Sequence, residues 1–162
     1  MNSSRHVNPD HYLETEGGRV FTPERNEAAW NQAYSDLELI LRTASPDVEL
    51  FVVVGVQGSG KSTWIEENAC RLGPQAVFFD AALPARAHRE RIVALARESG
   101  VPAVAVWLNT PLEQALARNS ARPPDKQVPE FAVRNVFSML ERPTQQEGFV
   151  QVIEVSAYEP GV

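Results

Sequence analysis

One stretch carries residues whose types and spacing can do chemistry. Gly55-Val56-Gln57-Gly58-Ser59-Gly60-Lys61-Ser62 fits G-x-x-x-x-G-K-[ST], a spacing suited to holding a polyphosphate. Glycines at 55, 58 and 60 let the backbone bend and turn its N–H groups onto phosphate oxygens without Cβ clashes. The positive end of a following helix adds to the same anion site. Lys61 is placed to reach the β- and γ-phosphates of ATP, and the Ser62 hydroxyl to ligate Mg²⁺. The expected nucleotide-binding set is Gly55, Gln57, Gly58, Ser59, Gly60, Lys61, Ser62 and Thr63.

Two other places offer partners. Asp80 ends an apolar run, Ala76-Val77-Phe78-Phe79, and a carboxylate at the C-terminal end of a buried strand lies beside the crevice of an α/β sheet. There it can hold Mg²⁺ or accept a proton from a hydroxyl being phosphorylated. Later, Arg118-Asn119-Ser120-Ala121-Arg122-Pro123-Pro124-Asp125-Lys126 is a basic, proline-broken segment between two helical patterns. Such a segment can close as a lid and bring Arg118 and Arg122, with Lys126 behind them, to the charge on the transferred group. His6, Asp10 and His11 lack a third ligand at diagnostic spacing and read as a solvated tail.

The elements that must position these residues are legible in outline. Leu50-Phe51-Val52-Val53-Val54 reads as a strand buried on both faces, and residues from Thr63 to Arg71 as a helix. Further strands are expected at 76–80, 104–108 and 149–155, with helices over 84–99, from Thr110 to about Asn119, and from Pro129. Thr110-Pro111-Leu112-Glu113 looks like a capping box, and Phe131, Val133, Val136, Phe137 and Leu140 like the inner face of the last helix. The arginines of the 84–99 helix, at 86, 89, 91 and 97, spread around the cylinder and read as a solvated face; His88 gets no role.

Ahead of this, residues 1–8 read as a loose polar tail, and 11–22 as a small hairpin around Gly17-Gly18. Thr22-Pro23-Glu24 opens a helix whose Ala29, Trp30, Ala33, Tyr34, Leu37, Ile40 and Leu41 form one apolar stripe. It is expected to pack on the nucleotide domain, its outer face available to a protein partner. The division is therefore 1–49, an N-terminal extension, and 50–162, a nucleotide-binding domain. The fold class is α/β: a P-loop NTPase-like three-layer sandwich with a mainly parallel sheet, helices on both faces and an N-terminal helical extension.

Composition narrows the partners. At 162 residues the chain can bury a real core. A formal net charge of −6 argues against a broad electrostatic grip on duplex nucleic acid. The longest apolar run is too short for a membrane span, and no signal-peptide layout opens the chain. The single cysteine, Cys70, fits a reducing cytoplasm and reads as a packed thiol.

From residue 50 onward the chain resembles the phosphate-loop kinases that include the polynucleotide 5′-hydroxyl kinases and the kinase half of polynucleotide kinase-phosphatases. Four stretches carry the likeness: Gly55 to Trp64; Asp80-Ala81-Ala82-Leu83-Pro84-Ala85-Arg86-Ala87-His88-Arg89; Leu116 to Arg122 with Val128-Pro129; and Pro143-Thr144-Gln145-Gln146-Glu147-Gly148-Phe149. The resemblance implies transfer of the ATP γ-phosphate to a hydroxyl, with lid arginines on the phosphates. One departure stands out. These kinases carry a further strand ending in the general-base aspartate, then substrate-binding helices, and only about eight residues separate the loop helix from Asp80 here. Either Asp80 serves as base, or the extension or another chain supplies one (Asp10 and Glu14 are candidates), or catalysis is lost. The readings are an ATP- and Mg²⁺-dependent kinase acting on a nucleic-acid end, a nucleoside or another small molecule, or a trimmed nucleotide-binding regulatory module.

Overall fold

The computed structural model describes residues 5–156. Its centre is a five-stranded sheet, β1 (His6–Val7), β4 (Glu49–Val54), β5 (Ala76–Asp80), β6 (Ala103–Asn109) and β7 (Gln151–Ser156), in the order β1-β5-β4-β6-β7. Every pairing in it is parallel. A separate hairpin pairs β2 (Glu14–Thr15) with β3 (Gly18–Arg19), turning through Glu16-Gly17 as the glycines suggest. The helices are α1 (Pro23–Thr43), α2 (Lys61–Leu72), α3 (Arg86–Glu98), α4 (Leu112–Ser120) and α5 (Glu130–Ser138). This is the expected P-loop NTPase-like α/β fold.

Valine-rich β4 lies between β5 and β6, so both of its faces are covered, and alternation along the strand feeds two cores. Leu50, Val52 and Val54 face α1 and α3, packing with Leu37, Leu41, Ile92 and Val93. Phe51 and Val53 face α2, against Trp64 and Ile65. The result is three layers, helix–sheet–helix. A smaller cluster, Val56, Ala115 and Val133, ties α4 and α5 to the residues just after β4.

The segment before residue 50 belongs to the same sheet and core. Thr22 caps α1 by accepting from the Arg25 N–H at 3.1 Å, with Pro23 in the first turn. The stripe predicted for α1 is its inner face: Tyr34 stacks on Phe79, ring centroids 5.7 Å apart, and Arg91 of α3 lies 3.9 Å over the Tyr34 ring. Tyr12 donates a hydrogen bond to Asp36 and so pins a 3₁₀ turn, Pro9–Leu13, to α1. The tail is not loose from His6 onward. Its strand registers His6 with Phe78 and Val7 with Phe79 along the outer edge of β5, while residues 1–4 of that expectation lie outside the described residues. Two residues are too few to show a period, so only the pairing reveals the strand.

Long-range pairings overturn other local readings. Arg89 is not on a solvated face. It is fully buried, its Nε and Nη2 donating to the two Glu147 carboxylate oxygens at 2.7 and 3.1 Å, its Nη1 to the Leu83 and Pro84 carbonyls. Leu83, at φ +43°, is a non-glycine residue in the left-handed region, and this guanidinium braces it. The His88 ring accepts from the Ala85 N–H at 3.0 Å and so caps α3. Phe131 points outward from α5, 77% exposed, while Val133 alone of that face is fully buried. Cys70 is exposed rather than packed. Among the described residues no helix is long and apolar enough to cross a membrane.

The Arg89–Glu147 pair yields a test. Glu147→Ala leaves a buried guanidinium without its counter-charge and should cost about 3–5 kcal/mol in urea denaturation. A loss below about 1 kcal/mol, the worth of an exposed pair, would show that the pair does not brace this turn.

Candidate functional site

The phosphate loop fills the gap between the end of β4 and the start of α2, and its backbone needs the glycines. Gly58 sits at φ +82°, and a Cβ there would come 2.2 Å from the Ala115 carbonyl oxygen. Gly60, at φ +98°, starts α2, and no side chain caps that helix. The N–H groups of its first turn therefore carry no side-chain cap, the arrangement that can receive an anion. Two side-chain oxygens in the loop, Gln57 Oε1 and Ser59 Oγ, are buried without a hydrogen-bond partner. Open amides and left-handed glycines together fit a polyphosphate, whereas Gln57 Oε1 can only accept and so does not contribute to that fit.

Lys61 Nζ donates to the Gly55 and Val56 carbonyls at 2.9 and 3.1 Å, which lays the ammonium along the loop with a third N–H in reserve. Burial pushes its pKa down, Asp80 opposes that, and Arg122 adds to it. The loop is held from above by α4 and the residue before it. Thr110 Oγ1 donates to the Ser59 carbonyl at 3.0 Å, and Arg118 Nη1 lies 3.4 Å from the same oxygen. Thr110 thus braces the phosphate loop instead of capping α4, whose N-cap is Pro111 with no side-chain bond.

Asp80 is 2% exposed, and its Oδ2 accepts three side-chain hydrogen bonds. Ser62 Oγ donates at 2.7 Å, His6 Nε2 at 3.0 Å and Asn8 Nδ2 at 3.2 Å. Burial alone would raise the Asp80 pKa, but the His6 bond, the Lys61 charge and the Ser62 hydroxyl outweigh it and hold the carboxyl below the usual range. An ionised carboxylate only accepts, so His6 Nε2 carries the hydrogen in this bond. Ser62 and Asp80 are therefore adjacent, as a shared role at Mg²⁺ requires. Among the described residues no group of three His, Cys, Asp or Glu could hold a metal unaided. Mg²⁺ in phosphoryl-transfer sites draws on few protein ligands plus substrate phosphates, so a hydroxyl and one carboxylate fit it.

All of this opens into one cleft of about 780 Å³. Gln57, Lys61, Ser62, Asp80 and Arg122 line it together with residues of the extension, including Asp10, His11 and Trp30. Arg122 is half-buried there; burial lowers its pKa, Arg19 adds to that, and Asp10 and Asp80 oppose it. Of the two lid arginines, Arg122 reaches the cleft wall, whereas Arg118 sits against the loop carbonyl. Sequence reasoning read His6, Asp10 and His11 as a solvated tail and missed Asn8, whereas His6 and Asn8 bond Asp80 and Asp10 and His11 line the cleft. The His11 ring lies edge-on to His6 with centroids 5.2 Å apart, and burial together with His6 lowers its pKa, which keeps it neutral.

The proline-broken segment 118–126, expected to act as a lid, is fastened to residues of the extension. Asp125 Oδ2 accepts from the Arg19 backbone N–H at 2.9 Å, and Lys126 Nζ is 4.0 Å from Glu14. Buried Asn119 closes the lid's base by bonding both the N–H and the C=O of Val128. A second cavity, about 640 Å³ between α4 and α5, contains no phosphate-loop residue.

Two expectations follow. Gly58→Ala should lower the melting temperature and abolish nucleotide binding; a variant that binds like the parent would mean the loop does not need this backbone. Because the folded-state pKa of Asp80 is depressed, its contribution to stability is present above the ordinary value of about 3.9 and lost as pH falls through the folded value. The stability advantage of the parent over Asp80→Asn, read by urea denaturation, should shrink between pH 7 and pH 3, and a constant advantage would contradict the depressed pKa.

Comparison with known proteins adds a family match and a structural likeness. The profile of a family described as an AAA domain matches residues 67–144, just under half of the chain, from the middle of α2 to the Thr144 turn. The crystal structure of the native AvrRxo1-ORF1:-ORF2 complex contains a similar chain, 15% identical, with a TM-score of 0.45; the match covers 78% of this chain and 59% of that one. This chain thus spans less than two thirds of the length of the solved chain it matches. The family match, following directly on the phosphate loop, supports a nucleotide-binding, kinase-like P-loop protein.

Proposed function

We propose that this protein is an ATP-dependent phosphotransferase that moves the γ-phosphate to a hydroxyl on a small acceptor. The observation that carries the reading is the placement of Lys61, Ser62, Asp80 and Arg122 around one cleft, at the open end of a glycine-built loop. Catalysis of this kind needs positioning and charge stabilisation more than covalent chemistry. The amides at the start of α2 and the Lys61 ammonium hold the β- and γ-phosphates. Ser62 and Asp80, which are hydrogen-bonded to each other, are the residues that would hold Mg²⁺, and the ion would supply positive charge to the phosphates. Arg122 meets the negative charge that spreads over the transferred group.

Asp80 is suited to aligning and less suited to taking a proton. Three donors and the Lys61 charge stabilise its ionised form, which lowers its basicity. A loose transition state makes small demands on a base, so a carboxylate that fixes metal and hydroxyl suffices. The extension supplies its setting: the edge beside β5 is filled by β1, and the Asp80 carboxylate is gripped from that side.

ATP turnover with a panel of hydroxyl acceptors, alongside calorimetry with ATP and Mg²⁺, tests this. Lys61→Ala should abolish binding or transfer. Asp80→Asn should remove transfer by at least a hundredfold while ATP still binds, a size typical of lost electrostatic or alignment contributions. Arg122→Ala should slow transfer more than it weakens ATP binding. Transfer at the parental rate in Asp80→Asn would take that residue out of the mechanism.

A further inference from the structure

The acceptor half of the cleft has a chemistry of its own. Asp80 marks the border, because its Oδ2 bonds Ser62 on the phosphate-loop side and His6 and Asn8 on the extension side. In the proposed reaction the terminal phosphate lies by Lys61 and Ser62, so the nucleotide base is at the far end of the triphosphate from Asp80. What lies across Asp80 from the loop faces the acceptor.

That wall is aromatic and electrically balanced. Phe21 (66% exposed) and Phe131 (77% exposed) carry the most exposed aromatic rings among the described residues, and both line this cleft, one from the extension and one from α5. Half-buried Trp30 lines it as well, its ring backed by Tyr34 and Phe79 with centroids 5.7 and 6.2 Å away. Rings left open in a cleft, one of them rigidly backed, are stacking surfaces for a flat ring. Hydrogen-bonding groups lie among them: half-buried Asn26 and the neutral His11 imidazole.

Charge then sets which flat ring. The extension's cation on this wall, Arg19, is already matched. Its Nε and Nη2 lie 3.2 and 3.0 Å from Glu14 Oε1, and its Nη1 3.6 Å from Asp10. Lys126 from the lid shares the same Glu14. Asp10, Asp80 and Asp125 line the cleft alongside Arg19, Lys61, Arg122 and Lys126, so with Lys61 and Arg122 committed to the ATP phosphates in the proposed reaction, no unmatched cation of this wall is left for a second anion. We infer that the N-terminal extension forms the acceptor site, and that the acceptor is an uncharged, hydroxyl-bearing compound with a flat heterocyclic or aromatic ring, nucleoside-like in its chemistry, stacked on Phe21 and Trp30. This rests on the proposed phosphotransfer for its reaction, but its binding claim stands apart from it. A phosphodiester-bearing strand end is disfavoured because the cations of this wall, Arg19 and Lys126, are already held by Asp10 and Glu14.

Calorimetry on the full chain tests it. The protein is saturated with Mg²⁺ and the non-hydrolysable adenosine 5′-(β,γ-imido)triphosphate, then titrated with cytidine, adenosine, myo-inositol and a 5′-hydroxyl dinucleotide. The nucleosides should bind, myo-inositol should bind at least tenfold more weakly for want of a flat ring, and the dinucleotide more weakly for its charge. Phe21→Ala, at an exposed position, and Trp30→Leu should each weaken nucleoside binding about tenfold, in line with lost base stacking, and leave analogue affinity within twofold. Equal or tighter binding of myo-inositol or the dinucleotide overturns the inference. So does unchanged nucleoside affinity in Phe21→Ala, or a loss of analogue affinity instead, which would assign the rings to the nucleotide base. Should the analogue itself not bind, the proposed function fails, and the same nucleoside titrations of the free parent and Phe21→Ala protein still decide the stacking site.

Discussion

A single carboxylate oxygen joins the two parts of this chain. Asp80 Oδ2 receives one hydrogen bond from the first turn of the phosphate-loop helix and two from the N-terminal segment. Such a buried anion is tolerable only because donors and the Lys61 charge surround it. The constraint runs both ways: β1 must lie along β5 for His6 and Asn8 to reach the carboxylate, and the phosphate loop must be shaped for Ser62 to do so. In the sheet order β1-β5-β4-β6-β7, His6–Val7 accordingly fills the edge beside β5.

Around this point the molecule is braced by contacts between residues far apart in sequence. Thr110 and Arg118 converge on the Ser59 carbonyl and fix the loop from the α4 side. The Arg89–Glu147 pair fixes the turn after Asp80, and the lid reaches the hairpin through Asp125 and Lys126. Sites of this kind depend on reacting groups being held before substrate arrives, and each of these braces limits how far one wall of the cleft can shift.

How much of this the sequence discloses depends on the range of the interaction concerned. The phosphate loop was readable because its glycines, lysine and serine all fall within eight consecutive positions. Buried strands β4, β5 and β6 were readable because covering both faces demands continuous apolar runs. The stripe of α1 and its Thr22 cap were local too. What escaped is decided by distant partners. Arg89 looks like any other arginine of α3 until Glu147 is brought to it, 58 positions later. Thr110 has the spacing of a capping residue, yet its hydroxyl is used by Ser59. Phe131 stands only two positions before Val133, which puts it across the helix from that buried residue, and it falls on the cleft side of α5, where a ring has no core to enter. His6 and Asn8 lie in a segment too short and polar to announce a strand, and their partner is more than seventy positions away.

The account stands or falls on whether loop and extension enclose one reaction centre. A crystal structure of the full chain with a non-hydrolysable ATP analogue and Mg²⁺ examines that directly. The terminal phosphate should lie between Lys61 and Asp80, the metal beside Ser62, and β1 should remain paired along β5 with His6 on the carboxylate. Phosphates bound away from the loop, or an extension displaced from β5 once nucleotide is present, would contradict it.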